Sequence, residues 1–155
     1  MSQQATTEQF GEALRMVYSN TCREWRISLS SMPGRELAWP DDFAYEIGAF
    51  MYFIFDFAVS SASSASKAKR IMEAFLSADP PPSTIANLLS ERCFEYSNAL
   101  RTKDKAEGLF KLGQVFARHT GHDKDSLVIA LASTHFQSTF SFLVDQVKET
   151  LPRLR

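Results

Sequence analysis

The stretch Asp41–Ser61, DDFAYEIGAFMYFIFDFAVSS, decides how the rest of the chain is read. It holds too many Phe, Ile, Met and Tyr residues to leave a helix a solvated face of normal width, so it predicts a helix surrounded by others. The same residue types also favour strands. The length of the run and its Asp-rich start select a helix with Asp41 or Asp42 as N-cap. Its most apolar part, Ile47 to Val59, is interrupted by Asp56 and is shorter than the ~20 residues that cross a bilayer. It therefore reads as a buried segment, and no membrane association is expected.

On the N-terminal side, Pro33, Gly34 and Pro40 make the stretch from Met32 to Pro40 a loop. Before it, a capping box of Thr6 and Gln9 opens a helix that ends near Ser30, with Phe10, Leu14, Val17 and Trp25 along one side. On the C-terminal side, the run SSASSAS from Ser60 to Ser66 predicts a frayed helix end and a short connection. Lys67 to Ala78 predicts a third helix with Ile71, Met72 and Phe75 inward, and Pro80-Pro81-Pro82 then breaks the chain.

Ser83 is read as the cap of a fourth helix carrying Ile85, Leu88, Leu89, Phe94 and Tyr96 inward. Lys105 begins a fifth, with Leu109, Leu112, Phe116 and His119 at helical spacing and Gly121 as its left-handed stop. Asp123 or Asp125 caps the last, whose stripe Ile129, Ala132, Phe136, Phe140, Leu143 and Val147 runs to Pro152. No alternating strand pattern competes. The expected fold is all-α, one compact domain over residues 1–155 with about six helices around the Phe-rich central one. Its two three-helix halves, 1–79 and 83–155, join at Pro80–Pro82.

Seventeen Lys and Arg against eighteen Asp and Glu supply no excess charge for neutralising phosphates, so nucleic acid is not an expected partner. Cys22 and Cys93 stand apart, without the spacing of a zinc site or a disulfide scaffold, and read as small buried thiols. The start, MSQQATTEQF, lacks the charged and apolar regions of a secretory signal, and a cytoplasmic location is expected. No GxSxG, SxxK, P-loop or GxGxxG occurs, so the usual sequence grounds for an enzyme are missing.

Two clusters could carry chemistry. His119, His122 and Asp123 are suitable ligand types for a divalent metal, at the junction of helices five and six. Gly121 breaks the chain between the two imidazoles, however, and the plainer roles are interaction with the helix-five dipole for His119 and capping of helix six for Asp123. The second cluster is Tyr52 and Asp56. Helical spacing puts Tyr45, Ala49, Tyr52, Asp56, Ser60 and Ser63 on one strip of the central helix, which is ordinary if wet and pocket-like if covered. Thirteen Phe residues raise the question of haem, but a proximal His119 would leave too little chain behind it for two long helices. His135, beside the main stripe of helix six, reads as a packed residue.

The leading functional expectation is a non-enzymatic interaction domain, of adaptor, regulator or immunity type, that binds another protein or a second copy of itself and needs no cofactor. The alternative is a small-ligand sensor or metal-dependent enzyme, with a pocket near Tyr52 and Asp56 or a metal at His119, His122 and Asp123.

Overall fold

The central run forms helix α2, Phe43–Ala62, and it is enclosed as its composition requires. A computed structural model describes residues 4–31 and 39–155. Around α2 stand α1 (Thr7–Ser30), α3 (Ala65–Ala78), α4 (Ser83–Leu100), α5 (Lys105–His119) and α6 (Ser126–Thr150), and a short 3-10 turn, Leu151–Arg153, follows α6. The described residues contain no strand. α2 touches each of the other five helices, α1 lies along α3, and α4, α5 and α6 pack in sequence. The break at Pro80–Pro82 separates α3 from α4, but one apolar core, from Leu14 to Val147, runs through both halves.

The helix ends follow local chemistry. Thr6 and Gln9 form the reciprocal capping box on α1. Asp104 accepts from the Ala106 amide at 2.9 Å to cap α5, and Asp125 accepts from Leu127 and Val128 to cap α6. Gly121 sits at φ +77° just past α5, where a side chain would be strained. Other expectations need correction. Asp42 occupies the N-cap of α2 without a side-chain cap bond. Ser83 is the first helical residue of α4 rather than its cap, which is Pro82. Ser63 and Ser64 make the whole α2–α3 connection, and α3, capped by Ser64, begins at Ala65, two residues before the expected Lys67. Of the loop expected from Met32 to Pro40, residues 32–38 lie outside the described residues.

Aromatic contacts bind the helices. Phe50 of α2 meets Trp25 of α1, Tyr96 of α4 and Phe116 of α5, with ring centroids 5.0–5.4 Å apart around this group. Phe50, Phe53, Phe55, Phe75 and Phe116 are fully buried, each worth about 1.5–3 kcal/mol over its exposed state. Val17 and Phe94, expected inward, are 40% and 66% exposed. In α1 the buried row is Thr7, Gly11, Leu14, Trp25 and Leu29, and of the apolar residues named above in α4 only Tyr96 is buried.

By length and composition alone, α2 and the stretch Ser126–Arg153 could each cross a membrane. In this fold α2 is walled in by helices, and α6 turns Thr134, Gln137, Ser138, Ser141 and Asp145 outward.

Candidate functional site

His119, His122 and Asp123 do not converge. His119, at the end of α5, places Nε2 2.8 Å from Oε2 of Glu95, and Arg118 donates to the same oxygen at 2.6 Å. The other Glu95 oxygen takes a hydrogen bond of 3.3 Å from Arg92. Arg92 then reaches inward to grip both oxygens of Glu46, at 2.8 and 2.9 Å. Glu46, Arg92, Glu95 and Arg118 thus form a ladder of alternating charge from a buried carboxylate on α2 to the surface of α5, and His119 is hydrogen-bonded to it at Glu95. Burial works against the charged form of Glu95, but the hydrogen bonds from His119 and Arg118 and the nearby Arg92 charge outweigh it, and the carboxyl titrates below its ordinary value. The His122 ring instead lies 4.5 Å from that of Trp39, and Asp123 is exposed. Among the described residues, no three His, Cys, Asp or Glu side chains gather in a way that could hold a metal ion. The capping role considered for Asp123 belongs to Asp125.

The strip with Tyr52 and Asp56 is partly open. Tyr45 is exposed, Tyr52 and Asp56 are half-buried, and Ala49 is completely buried. The reason lies in the neighbours: α1 and α4 both lie against α2, and the space between them is a groove of about 320 Å³. Ala44, Gly48 and Ala49 make its floor, Tyr18, Ser19 and Cys22 one wall, and Pro81, Ile85 and Leu89 the other. The Tyr18 hydroxyl donates to the Gly48 carbonyl at 2.8 Å and locks α1 onto this floor. Burial pushes the Tyr52 phenol and the Cys22 thiol each up to about 12, so neither ionises near neutral pH.

Asp56 does not line that groove. It opens one turn further along α2, with Ser60, Ala65, Ala68, Lys69 and Met72, on a hollow of about 360 Å³ between α2 and α3. Desolvation raises its pKa. The single pocket expected around Tyr52 and Asp56 is thus two adjacent depressions.

Two residues passed over in the sequence turn out to be central. Glu46 is 2% exposed, which its place in the first turn of α2 conceals. Among the described residues, Arg15 is the one charged side chain lining the α1–α4 groove. Its guanidinium carbon lies 5.0 Å from the Tyr18 ring centre and 5.1 Å from that of Phe75, and one terminal nitrogen is 3.3 Å from Asp79. Its Nε is buried without a hydrogen-bond partner among the described residues. The spacing of Arg15 and Tyr18, three apart on one helix face, was the available signal.

No protein-family model matches this chain, and neither a curated protein nor a solved structure was found to resemble it.

Proposed function

We propose that this chain is a helical protein-interaction domain that receives an amphipathic helix of a partner in the groove between α1 and α4. The observation that carries the reading is the groove itself. Small residues of α2 form a floor that lets another backbone approach, between apolar walls from two other helices. The requirement on the occupant follows from the lining. Apolar side chains of the incoming helix replace water over Ile85, Leu89 and Tyr52, and a carboxylate at one end complements the positive charge of Arg15, whose side chain is 17% exposed. A small-molecule pocket using Tyr52 and Asp56 together is less well supported, because the two side chains open on different hollows.

The test compares capture of proteins from native lysate by the wild-type chain, by Leu89→Arg and Ser19→Trp in the groove, and by Phe142→Arg on exposed α6. A protein held by the wild type and by Phe142→Arg but lost by both groove variants is the expected result. Retention that ignores the groove variants would sink the proposal. Sedimentation of the same four proteins identifies the partner as a second copy if a wild-type dimer dissociates only in the groove variants.

A further inference from the structure

A second recess shares no lining residue with the α1–α4 groove, and its chemistry differs. It lies between the end of α2, the α4–α5 turn, the start of α5 and the middle of α6, and measures about 380 Å³. That is within the range of small-molecule sites, about 300–1,000 Å³, and at its small end. Its walls are apolar: Phe136 and Phe140 stack with ring centres 5.5 Å apart at 11°, and Phe57 meets Phe140 at 5.3 Å, tilted by 35°. Leu100 and Leu109 complete the apolar lining. The rim carries Thr102, Lys103, Lys105, Gln137 and Ser141.

The charges on that rim are unbalanced. Lys69 and Lys111 each pair with a glutamate one helical turn away, whereas Lys103 and Lys105 make no ion pair among the described residues. The two acids nearest in sequence are engaged: the Asp104 carboxylate accepts from the Ala106 amide, and Glu107 holds Lys111 at 2.9 Å. Lys103 and Lys105 line the recess and no acidic residue does, so the mouth of this aromatic pocket is positively charged. This is the complement of an anion on an apolar body.

From this arrangement we propose that the recess binds a small amphipathic carboxylic acid, with its carboxylate at Lys103 and Lys105 and its apolar body against Phe57, Phe136 and Phe140. An aliphatic acyl chain and an aryl ring share this chemistry, and the flat faces of the Phe stack accept either.

The full-length chain is titrated calorimetrically at low salt with decanoate, below its micellar concentration, and with 4-phenylbutyrate. The neutral 1-decanol and the cationic decylamine serve as matched controls. At least one of the two acids is expected to bind, and which one does tells whether the body is acyl or aryl. The exposed double substitution Lys103→Glu/Lys105→Glu is expected to weaken that acid by tenfold or more, and decylamine to bind wild type at least tenfold more weakly than decanoate. Ser141→Trp, at the rim, should abolish binding by filling the mouth, and amide shifts of Gln137 and Ser141 should move with the bound fraction. Failure of both acids to bind would overturn the assignment. So would binding that the double substitution leaves unchanged, or an amine that binds as well as the acid.

Discussion

The imidazole of His135 lies flat on the indole of Trp25, with ring centres 4.2 Å apart and planes within 5°. This stack joins the last helix to the first. The His135 Nε2 also sits 3.3 Å from the Met51 sulfur and 3.4 Å from the Thr139 hydroxyl, so the ring is held among weak partners where a charge is poorly solvated. Burial accordingly lowers its pKa to about 4, from an ordinary value of 6.5.

That shift makes a pH prediction. The folded state binds a proton to His135 less readily than the unfolded state, so the neutral ring contributes its full stability above pH 6.5 and loses it as pH falls towards about 4. The loss reaches about 3 kcal/mol at most. Urea unfolding at pH 7.5 and 4.5 should show a smaller acid loss in His135→Phe, which keeps an aromatic ring on Trp25, than in the wild type. Parallel losses would exonerate the imidazole.

The Glu46–Arg92 pair predicts unequal costs. Arg92→Met strands a carboxylate that is 2% exposed and should destabilise by about 3–5 kcal/mol. Glu46→Gln/Arg92→Met removes the stranded charge as well and should recover much of that. A double variant as unstable as the single one would mean that the loss comes from packing, not from charge.

Two glycines mark close helix crossings. A Cβ at Gly11 would overlap the Ile71 carbonyl oxygen and come within 2.9 Å of Ala74 Cβ, and one at Gly113 would overlap the Ile129 carbonyl oxygen. Alanine in a helix normally gains about 1 kcal/mol over glycine. Here the overlap wins, and each Gly→Ala change should cost about 1–3 kcal/mol in thermal or chemical unfolding. A gain in stability would show that the α1–α3 and α5–α6 contacts separate easily.

Burial separates two phenylalanines that the sequence treated alike. Phe136→Ala should destabilise by about 3–5 kcal/mol, since the ring is 5% exposed within the core. Phe94→Ala, at 66% exposed, should change stability by less than about 0.5 kcal/mol. Similar losses in both would contradict the orientation of α4.

Metal addition tests the dispersal of His119, His122 and Asp123. A bound ion would stabilise by RT ln(1 + [L]/Kd), about 2.7 kcal/mol at a hundredfold excess over Kd. Zinc or manganese is expected to leave the melting temperature unchanged. A rise that disappears in His119→Ala would restore the metal reading.

The sequence by itself determined the features that act within a few residues. The Thr6–Gln9 box, the Gly121 stop, an Asp cap on α6 at 123 or 125 and the apolar excess of α2 are local, and the stripe from Ile129 to Val147 repeats with the period of the helix that carries it. What it left open depends on which helix lies opposite. Val17 and Phe94 are as apolar as their buried neighbours, and only the placement of α2 and α3 against α1, or of α2 and α5 against α4, decides that they face out. Glu46 and Asp56 are both carboxylates on the central helix, yet one meets Arg92 and is sealed in while the other remains half-open beside α3. His119 turned to Glu95, a residue 24 positions away, instead of to His122. Local spacing sets direction along one helix, but burial, ion pairing and the shape of a groove are properties of two or three helices at once, and only the tertiary structure brings those together.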